Sequence, residues 1–302
     1  MTFAQLLVFI EVARREHVTD AARALNMTQS AVSAAISAME ERHGVKLFER
    51  VGRRIALSAE GRSFLPGARR LVDEMRAAER VLADLADGTS GTLAIQASQT
   101  VASYWLPPIL MRHRKRFPGV EIALSVGNTT SVAEAVEAGR ADLGIVEGDI
   151  GDSALIREPV AIDRLSVVAG AGHEWADGRI LGAADLAAAS WILRENGSGT
   201  RAALEADLAA LGIDPGTLQV ALELPSNEAC AAALVESQAI TALSERAVRY
   251  RIAEGSVVRL PVELPGREFS IVRDGKRSPT RAVTTMMAFL REAERPGRVR
   301  PG

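Results

Sequence analysis

Thr28-Gln29-Ser30-Ala31-Val32-Ser33-Ala34-Ala35-Ile36-Ser37-Ala38-Met39 is the stretch whose reading decides the fold. Val32, Ile36 and Met39 recur at steps of four and three, the apolar face of a helix. Thr28 is placed to cap that helix through its hydroxyl. The opposite face carries Gln29, Ser30, Ser33, Ala34 and Ser37, all short or polar. A face meant only for water usually carries Lys and Glu. Small side chains let a helix lie close against another body, and hydroxyl and amide groups exchange hydrogen bonds with base edges and phosphates. The alternative is an ordinary polar face packed against its own domain.

Upstream, Leu6, Phe9, Ile10 and Ala13 mark a first helix. Thr19-Asp20-Ala21-Ala22-Arg23-Ala24-Leu25 reads as a short second one, capped by Thr19, with Asn26-Met27 as a tight connection. Two short helices, a turn and a third helix with such a face make a helix-turn-helix. Downstream, Val51-Gly52-Arg53-Arg54 is a turn between two short extended runs within residues 47–57. A hairpin just after a recognition helix is a wing, whose tip arginines reach phosphates or a narrow minor groove. The expected DNA-contacting set is Thr19, Thr28, Gln29, Ser30, Ser33, Ser37, Arg50, Arg53 and Arg54. Within it, Gln29, Ser30 and Ser33 read bases, Thr28 and Ser37 lie nearer the backbone, and the arginines take phosphate.

Charge supports a local anionic partner. The whole 302-residue chain has a net charge of −2. Residues 42–62 hold Arg42, Lys46, Arg50, Arg53, Arg54 and Arg62 against Glu49 and Glu60, while residues 89–302 carry 23 basic and 26 acidic side chains. A basic island on an otherwise acidic protein fits DNA; a solvated basic face is the alternative. Hydrophobic residues at 47% and charged residues at 25% exclude disorder, collagen and a coiled-coil-only chain. The one cysteine, Cys230, excludes an intrachain disulfide and a cysteine-built zinc site, and the four histidines have no ligand spacing, so no metal or cofactor is expected. The opening residues lack a basic leader, Glu11, Arg14 and Arg15 break the apolar run, and no segment is long enough to span a bilayer. A cytoplasmic protein with no membrane partner is the expectation.

Ser58 is placed to cap a further helix, along which Phe64, Ala68, Leu71, Met75, Ala78, Leu82 and Leu85 follow alternating steps of four and three. That is a coiled-coil seam of about three heptads and implies self-pairing; Pro66 predicts a local kink. A two-fold dimer presents two reading heads to a partly palindromic operator. The alternative is a helix packed on its own domain. Asp87-Gly88-Thr89-Ser90-Gly91 reads as a linker.

Beyond the linker, strands alternate with helices. Strands are expected at 92–97, 120–126, 141–146, 164–169, 191–193, 218–224, 239–243 and 269–272; helices at 101–117, 130–138, 200–211, 227–235 and 280–291. The expected fold is an α+β multidomain chain: residues 1–58 a winged helix-turn-helix, 59–88 a linker and dimerisation helix, and 89–302 a two-lobed α/β domain. Lobe I takes about 89–161 and 266–302, and lobe II about 162–265. Several strands end in Ser, Thr or Asn just before a helix starts, so hydroxyls, amides and free backbone N–H groups collect where an anion is favoured. The candidates are Ser98, Gln99, Thr100, Asn128, Thr129, Ser198, Thr200, Ser226 and Asn227. Plain helix capping is the alternative for each one alone. Glu147, also after a strand, either binds an amine or pairs with a cation such as Arg194.

Phe9, Val12, Ala21-Ala22, Leu25, residues 28–33, Ile36, Met39-Glu40, Gly44, Leu47-Phe48, Arg50, Arg53, Leu57-Ser58 and Gly61 together resemble the N-terminal signature of LysR-type transcriptional regulators. The remainder is similar to the linker helix and periplasmic-binding-protein-like effector domain of that family. The resemblance implies a dimer through the linker helix and commonly a homotetramer. It also implies a small-molecule co-inducer in the cleft, altered DNA bending and contact with RNA polymerase. Many relatives carry a basic residue just after the equivalent of Ser33, where this chain has Ala34-Ala35, which shifts phosphate binding onto Arg50, Arg53 and Arg54. Ser98-Gln99-Thr100, Gly127-Asn128-Thr129, Val146-Glu147-Gly148, Leu193-Arg194-Glu195, residues 197–201 and residues 226–229 resemble the branch typified by regulators of cysteine biosynthesis and sulfite reduction.

Three rival functions compete. An enzyme is disfavoured: Gly197-Ser198-Gly199-Thr200 has no P-loop Lys, no Gly-x-Ser-x-Gly elbow occurs and no triad is visible. A solute-binding transport receptor lacks a reason for the helix-turn-helix. A ligand-independent regulator would keep the same domains around a degenerate cleft.

Overall fold

The computed structural model describes residues 1–51, 54–87, 91–151 and 153–293. They divide into two compact units, Met1–Arg80 and Val81–Gly302.

In the first unit, α1 (Phe3–Arg15) begins with a reciprocal Thr2–Gln5 capping box, and α2 (Val18–Ala24) and α3 (Gln29–His43) follow. Thr28 caps α3 by accepting from the Ala31 N–H at 3.2 Å. Thr19 is not the cap of α2. That helix starts one residue earlier, His17 occupies the cap position without a side-chain bond, and Thr19 lies inside the first turn. Asn26, at φ 53°, makes the left-handed turn between α2 and α3 that its short polar side chain tolerates. Strands β1 (Phe48–Val51) and β2 (Arg54–Leu57) pair antiparallel as the expected hairpin. Its turn, including Arg53, lies outside the described residues.

Ser58 sits at the start of α4 (Ala59–Asp87), accepting from the Gly61 N–H at 2.9 Å and donating to the Lys46 carbonyl at 2.6 Å. A Cβ at Gly61 would stand 2.1 Å from the Leu47 carbonyl oxygen, so only glycine lets α4 pass this close to the hairpin. The helix runs through Pro66 without a break.

The expected dimer seam divides in two. Phe64 stacks its ring 5.0 Å from Phe9, and Ala68 is fully buried beside Val72 in the unit's own core. Leu71, Met75, Ala78 and Leu82 are exposed. The Leu85 side chain lies outside the described residues. The inner face runs through Phe64, Ala68 and Val72, and Leu71 and Met75 fall outside it.

The second unit is built on one eight-stranded sheet, ordered β4-β3-β5-β10-β6-β9-β7-β8. Its strands are β3 (Gly91–Ser98), β4 (Val120–Gly127), β5 (Leu143–Glu147), β6 (Leu155–Gly170), β7 (Ser190–Arg194), β8 (Gln219–Leu224), β9 (Ala239–Ser244) and β10 (Val257–Asp274). Strands β3, β4 and β5 are parallel on one side, and β7, β8 and β9 are parallel on the other. The long antiparallel pair β6 and β10 runs through both halves. The expected strands at 164–169 and 269–272 are therefore the well-buried parts of two much longer ones.

Helices cover both faces of each half. In lobe I, α5 (Leu106–Arg116) and α11 (Arg281–Glu292) enclose the core of Leu93, Ile95, Trp105, Phe269 and Met286. On the other face, α6 (Thr129–Glu137) packs Val132 and Val136 on Val146 and Val272. In lobe II, α7 (Ala183–Ala188) and α8 (Gly199–Ala210) cover Trp191 and Leu193. Helices α9 (Asn227–Ala233) and α10 (Glu245–Ala253) cover Ile192 and Leu243. The expected helix at 101–117 opens as a π-helical turn over Val101–Trp105 before α5.

Candidate nucleic-acid interface and effector cleft

In the N-terminal unit, Thr19, Gln29, Ser33, Ser37 and Arg50 line one concavity of about 690 Å³ between the α2–α3 pair and the hairpin. Gln29, Ser33 and Ser37 are exposed, at steps of four along α3. Thr28 and Ser30 stand outside the lining. The Thr28 hydroxyl is engaged in the cap, and the Ser30 hydroxyl lies 3.0 Å from it. Arg54 belongs to β2, where its backbone pairs with Val51. The concavity also holds Glu16, Glu40 and Glu49, acidic groups that charge counting alone did not assign to it.

In the second unit, the ends of β3, β5 and β7 meet the starts of α6, α8 and α9. Glu147, at the end of β5, is 1% exposed and accepts three hydroxyl hydrogen bonds. They come from Ser98 at 2.8 Å, Thr100 at 3.0 Å and Thr200 at 3.0 Å. The Thr129 hydroxyl donates to the Glu147 backbone carbonyl at 2.9 Å. Each threonine has one hydroxyl proton. With those protons given to Glu147, Thr100 accepts from the Asn227 amide and Thr200 accepts from Arg267, both at 3.0 Å. A Cβ at Gly199 would stand 2.1 Å from the Glu147 carbonyl oxygen, so the start of α8 closes on β5 only through glycine.

Glu147 does not pair with Arg194. Its cation is Arg267, 3.7 Å away on β10. Arg194 is buried against Glu195 at 2.8 Å and donates to the Asn227 side-chain Oδ1 at 2.8 Å. Arg267 also donates two bonds to one oxygen of Asp163, at 3.0 and 2.9 Å, and the Ser244 hydroxyl donates to the other oxygen at 2.6 Å. Burial pushes the Asp163 carboxyl above its usual range despite Arg267 and Ser244, and the nearby Glu147 adds to the effect. Asp163 and Arg267 face each other on the crossing strands β6 and β10. Neither follows a strand end, and no local motif marks them.

Ser198, Ser226 and Asn128 act as plain caps, accepting from the N–H groups of Arg201, Ala229 and Ser131. Asn128 also reaches across to donate to the Asn196 carbonyl at 3.2 Å. Gln99 accepts from the Asn227 N–H at 3.2 Å and donates to Glu228 at 2.7 Å, while the Tyr104 hydroxyl donates to the other Glu228 oxygen at 2.5 Å. Gln99 and Tyr104 are five residues apart, which the π-helical turn puts on one face. Burial pushes Glu228 up, but Tyr104, Gln99 and Ser226 hold its carboxyl below the usual carboxylate range. The Tyr104 hydroxyl is driven upward by burial and by Glu228. Direct hydrogen bonds therefore link the two lobes at Glu147–Thr200, Thr100–Asn227, Gln99–Glu228 and Asn128–Asn196. A cavity of about 100 Å³ lies at its edge, between Thr129, Asp149, Gly197 and Arg201.

Comparisons with known proteins agree with this architecture. Residues 3–62 match the bacterial regulatory helix-turn-helix proteins of the lysR family, and residues 86–295 match the LysR substrate binding domain. The HTH-type transcriptional regulator YeiE of Escherichia coli strain K12 is 37% identical over 265 residues, 88% of each chain. The HTH-type transcriptional regulator CbbR of Rhodospirillum rubrum is 31% identical over 294 residues, 96% of each chain. The crystal structure of full-length CbnR complexed with its target DNA shares the fold, with a TM-score of 0.73 at 21% identity, over 97% of this chain and 100% of that one. No helix among the described residues is long and apolar enough to cross a membrane. The reading helix with its hairpin, the long α4 and the two-lobed cleft thus place this chain in the LysR family, as a DNA-binding transcriptional regulator with an effector-binding domain.

Proposed function

We propose that this regulator works in the cytoplasm, without catalysis, and that its DNA binding is controlled by a small zwitterionic or anionic effector seated among Ser98, Thr100, Thr129, Thr200 and Glu147. The observation that carries this reading is the convergence of three hydroxyl donors on the buried Glu147 carboxylate. Such a cradle suits any carboxylate or oxyanion, and the chain's own carboxylate lies in it. A zwitterion exchanges partners without stranding a charge. Its anionic group takes the hydroxyls and its cationic group pairs with Glu147, with Arg267 close by. Effector binding then alters lobe closure and the spacing of paired reading heads.

On the DNA side, Gln29 and Ser33 reach base edges from the concavity, with Ser37 nearer the backbone and Arg50, Arg53 and Arg54 on phosphate. The exposed Leu71, Met75, Ala78 and Leu82 pair α4 with a second copy, and two dimers form the tetramer that meets RNA polymerase.

Calorimetry of the full chain against carboxylates, inorganic oxyanions including sulfur oxyanions, and amino acids tests the effector. Glu147→Gln should weaken zwitterions and strengthen simple anions. Absence of heat from every anion and zwitterion would sink the proposal.

A further inference from the structure

Glu40 is an acid on the face that should approach DNA. It follows Gln29 by eleven residues, about three helical turns, so it lies on the same stripe as Gln29, Ser33 and Ser37. It also lines the same concavity. A free carboxylate there would repel phosphate. This one is 8% exposed and fully engaged. One oxygen accepts the backbone N–H groups of Leu47 at 2.8 Å and Phe48 at 3.3 Å, and the other accepts the Lys46 ammonium at 2.7 Å. Burial pushes the Glu40 carboxyl up, and these three donors outweigh it and hold the group below the usual range.

The two anchored amides are the entry to the hairpin. Arg50 lies two residues past Phe48 on β1, roughly 7 Å along the strand at its normal rise. The hairpin is tied elsewhere as well: the Ile55 N–H donates to the Glu16 carbonyl at 3.3 Å, and Ser58 holds the Lys46 carbonyl. Those bonds run to α1 and to the start of α4. Through Glu40, the reading helix itself holds the hairpin.

We propose that Glu40 is a positioning residue for DNA binding, setting the distance between the α3 reading face and the Arg50 hairpin while not touching DNA itself. This rests on the reading of Arg50 as a phosphate contact, and the test separates the two. Two conservative variants split anchorage from charge. Glu40→Gln keeps an oxygen acceptor at full reach and loses the charge. Glu40→Asp keeps the charge and draws it back one methylene from the Leu47 and Phe48 amides.

The full chain is titrated with a mixed-sequence duplex between about 50 and 200 mM salt, and the slope of log affinity against log salt is read. Arg50→Ala should flatten the slope by about 1, the share of one phosphate. Glu40→Asp should flatten it comparably, and Glu40→Gln should leave it at the wild-type value. The reverse order, or a wild-type slope in a folded Glu40→Asp, overturns the proposal. A wild-type slope in Arg50→Ala overturns the phosphate reading beneath it and leaves a distinct signature. Should Glu40→Asp unfold the unit, amide hydrogen exchange in Glu40→Gln decides. Protected Leu47 and Phe48 amides with a wild-type slope support the anchor; unprotected amides with a wild-type slope overturn it.

Discussion

Replacing Arg267 by Met should cost the effector domain about 3 kcal/mol and leave the DNA-binding unit untouched. Arg267 is 6% exposed and Asp163 is 1% exposed, so the substitution strands the buried Asp163 carboxylate and also takes the cation from Glu147, which keeps its three hydroxyl donors. Breaking one side of a buried pair costs roughly 3–5 kcal/mol. The lower figure applies here because the Ser244 hydroxyl at 2.6 Å and Arg246 at 3.5 Å still face Asp163. For a domain of this size, that loss corresponds to a fall in Tm of about 6–12 °C. The assay is selective without labels. The three tryptophans, Trp105, Trp175 and Trp191, all lie in the second unit and are all buried, so their fluorescence reports that unit alone.

The loss should also depend on pH. Burial already holds Asp163 above its ordinary range, and removing the cation raises it further. A carboxyl raised on folding favours the folded state when protonated. The deficit is therefore largest at neutral pH and shrinks as pH falls through the raised value towards the unfolded one. Adding Asp163→Asn to Arg267→Met should recover the part of the loss owed to Asp163, leaving the smaller part owed to Glu147. A single-variant loss below about 1 kcal/mol, or equal losses in the single and double variants, refutes the buried-pair reasoning.

On operator and random duplexes, Gln29→Ala should cost about 1–3 kcal/mol on the operator only, whereas Arg50→Ala should weaken both equally; equal losses from both variants contradict the division of labour. Charging the outer face of α4 with Leu71→Glu and Leu82→Glu should yield monomers by sedimentation with the fold intact, since both side chains are already exposed. Phe64→Ala should instead lower the melting temperature of the N-terminal unit, because its ring packs on Phe9. Cys230, buried and with its thiol pushed up to about 11, should resist alkylation at neutral pH in the native chain and react once unfolded.

The helix-turn-helix was legible because its signals are local. The 4–3 spacing of Val32, Ile36 and Met39, the Thr28 cap and the Val51–Arg54 turn each act within a few residues. Thr19 misled because a threonine two residues inside a helix looks like a cap when His17, a weak capper, holds the true position. The 4–3 spacing along α4 reads as one stripe, although the first half of that helix completes its own domain's core. In the cleft, residues that follow strand ends were found. Arg267 and Asp163 were not, because they sit inside long strands and owe their role to a partner about a hundred residues away. Helix α10 was also missed: among the residues of Glu245–Ala253, only Val248 is buried, too little to imprint a period.

The order of strands has a consequence for synthesis. Strand β10 is the last of the eight to be made, yet it lies in the middle of the sheet, between β5 and β6. Until the ribosome has passed Asp274, the nascent domain is two half-sheets with bare facing edges, open to other nascent chains. Closure then comes in a single late step that joins segments roughly 90 to 130 residues apart. A chain cut before Val257 should accumulate as aggregate rather than as a working half-domain, and chaperone demand should concentrate in the last stretch of translation.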